Sequence, residues 1–246
     1  MALLKDIVSY CDQRLDSSAF DDYCPNGLQI EGAAEVSSIV SGVTASQAMI
    51  DAAADVGADM LLVHHGYFWK GEAAPLVGIK GRRVKALMRH DLSLVAYHLP
   101  LDAHPELGNN HQLGIKLGFG TGTPAGGLLW GVELARPLTS EDLASRVDSA
   151  LGRAPLVVGP QGSVRRIAWC TGAAQGMIEQ AAAAGFDAFI SGEISEQTVH
   201  QAAELGILYL SAGHHATERY GVQALGAELA DRFAVAHQFI DIDNPV

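Results

Sequence analysis

A gap-free internal repeat constrains this chain more than any single motif. Ile39 to His65 (IVSGVTASQAMIDAAADVGADMLLVHH) lies over Ile167 to Glu193 (IAWCTGAAQGMIEQAAAAGFDAFISGE) at a constant offset of 128 residues. Nine of the 27 positions are identical, among them Gln47 and Gln175, Met49 and Met177, Ala53 and Ala181, Gly57 and Gly185, and Asp59 and Asp187. Composition alone would match roughly two or three in an Ala- and Gly-rich chain. Similarity at one fixed offset is the mark of a duplicated folding unit. With 246 residues, 48% of them hydrophobic, each half keeps enough chain for a core.

Each copy has the grammar of a βαβ unit. A short β-branched run (SSIVSGVT or RRIAWCT) enters an Ala-rich helical stretch, which Gly57 or Gly185 stops at a C′ position. A second apolar run follows, MLLV or AFIS, of the kind buried in a parallel sheet. Where it ends, one copy presents His64-His65-Gly66 and the other Ser191-Gly192-Glu193, so Glu193 takes the place of His65. The carboxyl ends of parallel strands are where such sheets bind ligands. Further on, LSLVAYH and ILYLSAGH each lead into a His-x-x-x-carboxylate motif, His98 to Asp102 and His214 to Glu218. Pro100 predicts loop over His98 to Asp102. Asn109 and Asn110 are placed to N-cap a helix carrying Leu113 and Leu117, and Thr217 precedes one carrying Val222, Leu225 and Leu229. Leu3, Leu4, Ile7 and Val8 have amphipathic-helix spacing.

These elements predict an α/β fold with an N-terminal lobe over 1–120, a Gly-rich linker over 121–131 and a C-terminal lobe over 132–246. Two similar halves facing each other across a pseudo-twofold axis would make one shared polar site. Its candidate residues are His64, His65, His98, Asp102, His104, His214, His215 and Glu218, with Glu193 placed for proton transfer or substrate contact. Imidazole with carboxylate and no thiolate suits zinc, iron, manganese or cobalt. This many donors exceeds what one ion needs, and two ions ~3.5–4 Å apart would share a hydroxide made nucleophilic near neutral pH. His215, beside His214, is expected to point away from a metal; His104, His111, His200 and His237 are expected to be solvated or supporting, and His90 on the surface.

The formal charge of −12 disfavours nucleic acid backbones and anionic lipid. Cys11, Cys24 and Cys170 are an odd set without CxxC, which points to a reducing compartment. No leader pattern and no apolar run near the ~18 residues of a membrane span is visible, so a cytoplasmic protein is expected. Neither GxGxxG nor GxxxxGK[ST] occurs. Tyr67 to Glu72 (YFWKGE) reads as an aromatic lid with Lys70 reaching an anionic substrate, or as a packed surface loop. Asp22 to Gln29 reads as turn chemistry, with Asn26-Gly27 favouring positive φ.

As a set, His64-His65-Gly66, His98-Leu-Pro-Leu-Asp102 with the following Gly-Asn-Asn, Ser-Gly-Glu193 and Gly-His214-His-Ala-Thr-Glu218 closely resemble the dinuclear-metal GTP cyclohydrolase I type 2 homologs, also called Nif-three-like proteins, in their short bacterial form. The likeness covers the whole chain. It implies two interlocked, internally duplicated α/β lobes with a metal cleft between them. Two divalent cations per chain (Fe, Zn or Mn) would be bound there through His64, His65, Asp102, His214 and Glu218, with His98 a sixth ligand or a support behind the ligands. The resemblance also implies a toroidal homohexamer. One departure is Gln197, where longer relatives commonly carry a His four residues after the acid of the Gly-acid motif. Two functions are then in view. The first is a metal-dependent hydrolase opening the imidazole ring of a guanine nucleotide, with Glu193 or a histidine such as His98 moving protons and Lys70 or an Arg meeting phosphates. The second is a non-catalytic, metal-stabilised ring scaffold for a protein or nucleic acid partner, the latter opposed by the charge.

Overall fold

A computed structural model describes every residue from Met1 to Val246. In chain order the first elements are β1 (Ala2–Leu3), α1 (Leu4–Arg14), β2 (Gly27–Ile30), β3 (Glu35–Val36), β4 (Ser38–Thr44), α2 (Gln47–Asp55), β5 (Met60–His65), α3 (Gly78–Arg89), β6 (Ser93–Ala96), α4 (Leu99–Ala103) and α5 (Asn109–Lys116). They continue with β7 (Thr123–Gly126), β8 (Leu129–Thr139), α6 (Ser140–Leu151), β9 (Leu156–Val158), β10 (Ser163–Trp169), α7 (Ile178–Ala183), β11 (Ala188–Ser191), α8 (Glu196–Leu205), β12 (Leu208–Ser211), α9 (His214–Thr217), α10 (Arg219–Phe233) and β13 (Ala236–Phe239). The architecture is mixed α/β with two main sheets. No helix is long and apolar enough to cross a membrane.

Two compact units result, each from two stretches of chain: Met1–Leu107 with Gly221–Asp243, and Gly108–Tyr220 with Asn244–Val246. Both differ from the lobes expected at 1–120 and 132–246. Gly118 to Gly131 is no linker, because β7 pairs antiparallel with β8 there; the glycines supply the positive φ of its turns, as at Gly126 and Gly127. The helix expected after Thr217 does form, but from Gly221 onward it belongs to the first unit. Its buried Val222, Leu225 and Leu229 share a core with Leu4, Ile7 and Cys11 of α1.

The first unit holds a five-stranded sheet in the order β13-β4-β5-β6-β2, parallel except for β2 at the edge. Side chains alternate faces along a strand. Met60 and Leu62 of β5 pack on α1 and α10, whereas Leu61 and Val63 pack on Met49, Ile50, Val84 and Leu87 of α2 and α3. Burial on both faces explains why MLLV is apolar throughout, and truncating one such Leu to Ala costs about 2–5 kcal/mol.

A six-stranded sheet forms the second unit, in the order β7-β8-β10-β11-β12-β9, with β10, β11 and β12 parallel. Ile167, Trp169, Ile190 and Leu210 face Leu113 of α5 and Leu143 and Val147 of α6. Ala168, Phe189 and Tyr209 face Ile178 of α7 and Ala202 of α8. The N-cap of α5 is Gly108, not an asparagine; Asn109 and Asn110 are buried in its first turn, where the Asn110 carbonyl accepts from Trp169 Nε1 at 2.8 Å and its side chain from the Thr171 N–H at 3.0 Å.

Duplication extends to individual hydrogen bonds. Asp59 Oδ2 accepts from the backbone N–H groups of Ser37 and Ser38 at 2.7 and 3.0 Å. Asp187 Oδ2 accepts from those of Arg165 and Arg166, 128 residues later, both at 2.8 Å. Gly57 and Gly185 end their helices at φ +69° and +77°, and the next N–H returns to Ala53 or Ala181. The repeated Ala, Gly and Asp are thus one device, a helix stop followed by a carboxylate that ties the second strand to the start of the first.

Candidate metal centre

In the first unit, β5 ends on His64 and His65, and neighbouring β6 runs parallel to it. The chain leaving β6 therefore emerges beside the two histidines. Tyr97 N–H donates to the Val63 carbonyl at 3.1 Å, and the fully buried His64 sends its Nδ1 back to the Tyr97 carbonyl at 2.9 Å. A carbonyl only accepts, so Nδ1 carries the proton. Nε2 then faces Asp102 Oδ1 at 3.5 Å.

His98 and Asp102 follow β6, and here the expected loop is a short helix. Pro100 sits in the first turn of α4, where no backbone N–H is needed, and His98 is the N-cap. That turn delivers Asp102 to His64. One ligand atom each from His64, His65 and His98 lie within 4.8 Å of one another. His65 Nδ1 is 3.2 Å from Thr44 Oγ1, and His98 Nδ1 donates to Asp22 Oδ1 at 2.7 Å. Burial works against the Asp22 charge, but hydrogen bonds from His98, Asn26 and Leu99 outweigh it and hold its pKa at about 2. Cys24 lies within reach of Asp22 and His98, and burial pushes its thiol up to about 12.

The YFWKGE segment is built against this cluster. Trp69 has its ring 5.0 Å from that of His98 and 6.0 Å from that of His65, and Tyr23 lies 6.4 Å from His98. Glu72 accepts from the N–H groups of both Phe68 and Trp69, holding Phe68 at φ +66°, a conformation costly for a bulky residue. Lys70 is exposed.

In the second unit, Glu193 follows β11 and His214 opens α9 after β12. His214 Nδ1 meets Glu193 Oε1 at 2.7 Å, and its Nε2 meets the buried Glu218 Oε2 at 3.0 Å. Burial opposes charge on His214, but Glu218 and Glu193 together outweigh it and raise its pKa to about 9. The site thus selects positive charge at Nε2, which a proton or a metal cation supplies. Gly172, at φ +66°, leaves the room: a Cβ there would run into Glu218 Oε1 and come within 3.2 Å of His214 Nε2. The two His-x-x-x-carboxylate motifs are one residue out of step with their strands. Ala212 N–H donates to Ser191 as Tyr97 does to Val63, so the backbone equivalent of His98 is Gly213.

The remaining histidines belong to none of these groups. His104 is buried beside Arg14, with a pKa lowered first by burial and then by the guanidinium. His111 packs edge-on to Trp130, and His237 pairs with Ser41 at 2.8 Å. His90 and His200 are exposed, and His215 is buried. Sequence reasoning missed Asp22, Thr44, the Tyr97 carbonyl and Gly172. The repeat pairs Gly172 with Thr44, and that alignment was the one signal available for either.

Imidazoles with one nitrogen held by an acceptor, beside buried carboxylates, are a donor set that fits divalent cations. Buried His, Asp and Glu groups that could hold metal ions are therefore present. The same chain matches, over residues 2–245, the family described as Duf34/NIF3 (NGG1p interacting factor 3). It is similar to curated proteins named GTP cyclohydrolase 1 type 2 homolog. That of Allochromatium vinosum is 57% identical over 249 residues, covering 100% of this chain and 98% of the relative. That of Pseudomonas aeruginosa is 58% identical over 248 residues, covering 98% of each. A solved structure of protein ybgI, described as of unknown function, superposes with a TM-score of 0.94 at 48% identity, covering 99% of this chain and 100% of that one. A crystal structure of a Thermus thermophilus protein gives 0.92 at 34% identity with the same coverage. Identity of this extent, with a match across nearly every residue, makes the chain a member of the Duf34/NIF3 family.

Proposed function

We propose that the protein is a divalent-metal-dependent hydrolase acting on a nucleotide-like small molecule, in keeping with the name of its GTP cyclohydrolase 1 type 2 relatives. One observation carries the reading. In both units an imidazole has its Nδ1 held by an oxygen acceptor while its Nε2 is set against a buried carboxylate, His64 with Tyr97 and Asp102, and His214 with Glu193 and Glu218. Ligating histidines are oriented through their far nitrogen in this way. The proposed ligands are His64, His65 and Asp102 from the first unit and His214 and Glu218 from the second, with His98 as a sixth, for two divalent cations per chain. Such ions supply Lewis acidity and draw a nucleophile from water near neutral pH.

Around these ligands the chain's own residues bind and orient. Tyr97 and Glu193 fix the two imidazoles, and Glu193, held against His214, is also placed to move a proton. Trp69 and Tyr23 offer aromatic surface beside His98 for a planar base, a contact worth about 1–3 kcal/mol per base. The exposed Lys70 side chain suits a substrate phosphate. Assembly into a homohexamer belongs to the same proposal and is read from mass in solution. The test is turnover of GTP and a broad nucleotide panel by protein loaded with Mn, Fe or Zn. Metal-dependent hydrolysis is expected. Inactivity with every metal, joined to loss of assembly in a chelator, would replace the enzyme by a scaffold.

A further inference from the structure

Asp22 accepts four hydrogen bonds, and they converge on His98. Its Oδ1 accepts from the Tyr23 N–H at 2.6 Å and from His98 Nδ1 at 2.7 Å. Oδ2 accepts from Asn26 Nδ2 and from the Leu99 N–H, both at 2.9 Å. Asn26 completes the grip, its Oδ1 accepting from the His98 N–H at 2.7 Å. One turn therefore holds the His98 side chain, its peptide N–H and the first N–H of α4, the helix that carries Asp102.

We propose that the Asp22–Asn26 turn is a positioning device that locks His98 as its Nδ1–H tautomer and so presents Nε2 to the cluster with His64 and His65. The proposal deepens the metal-centre reading and rests on it for its consequence. The carboxylate cannot donate, so Nδ1 must, and Nε2 is the nitrogen that remains as a donor to a cation. Asp22 has a side chain only 2% exposed, so water does not compete for these bonds. Peptide N–H groups at both ends of the contact set the ring's position as well as its proton.

An isosteric change tests the lock. In Asp22→Asn the new NH₂ group must face donors whichever way the amide is turned. At the Oδ2 position it meets Asn26 Nδ2 and the Leu99 N–H; at Oδ1 it meets the Tyr23 N–H and His98 Nδ1. Only His98 can answer by becoming an acceptor, which moves its proton to Nε2. Long-range ¹H–¹⁵N NMR of the metal-free protein, with the imidazole neutral, is expected to show Nδ1–H in the parent and Nε2–H in Asp22→Asn. Chelator competition is expected to show Zn²⁺ bound about 10–100-fold more weakly in the variant, with no further loss in Asp22→Asn combined with His98→Ala relative to His98→Ala alone. A merely structural role would leave the tautomer unchanged and make the losses additive. An Nε2–H signal in the unsubstituted protein overturns the proposal without any variant, as does equal Zn²⁺ affinity in Asp22→Asn. A parent that takes up no metal at all, yet shows Nδ1–H, removes the metal reading while leaving the lock standing.

Discussion

Asp102 and Glu218 are buried, and an ionised carboxylate away from water is costly unless a charge or hydrogen bonds compensate it. Each sits against an imidazole whose other nitrogen is already held. Removing that charge while keeping its shape, by Asp102→Asn or Glu218→Gln, is expected to lower divalent-metal affinity by at least ~10-fold, checked by chelator competition. Asp59 serves a different purpose. Burial raises its pKa, but Ser37 Oγ and the Ser37 and Ser38 N–H groups outweigh that and leave it lowered. A carboxylate with a depressed folded value stabilises the protein above its unfolded pKa of ~3.9 and loses that contribution as pH falls through the folded value. The Tm deficit of Asp59→Asn is therefore expected to be full near neutrality and to shrink on acidification below ~3.9, with metal content unchanged.

Two glycines, one ending a helix and one following a strand, separate backbone demands from site demands. Gly57 has φ +69° and open space around it, so Gly57→Ala is expected to cost about 1–2 kcal/mol through the left-handed conformation alone, read as a lower unfolding midpoint with metal binding intact. Gly172 has a similar φ, but its Cβ would strike Glu218. Gly172→Ala is expected to lose both stability and metal, and retention of full metal content would refute the packing just described. The βαβ units around these glycines were readable in the amino-acid string because their signals are local: a β-branched run, an Ala-rich stretch, a Gly stop and a second apolar run. The helix at His98 was misread for an equally local reason, since a proline weighs against helix everywhere except the first turn, and its place in the turn is set by where β6 ends.

Across the molecule, duplication was visible but the partition of the chain was not. The amphipathic pattern of α10 says that it buries Val222, Leu225 and Leu229 without saying on which sheet, and those residues pack with α1. Gly-rich composition at 118–131 marks positive φ, which serves a tight hairpin as well as a flexible linker. A wider group of candidate donors was readable because histidines and carboxylates recur near the strand ends of both halves, and the family resemblance singled out the proposed ligands among them. Their supports were not, because a Tyr97 carbonyl or an Asp22 seventy-six residues before its histidine has no spacing rule to betray it. Cations that bind only the folded chain stabilise it by mass action, about 2.7 kcal/mol at 100 times Kd, so a chelator is expected to lower Tm measurably. Elemental analysis of the purified protein is the most direct test of the metal centre. About two divalent ions per chain are expected, whereas none as isolated, with no uptake of Mn, Fe or Zn on reconstitution, would contradict it.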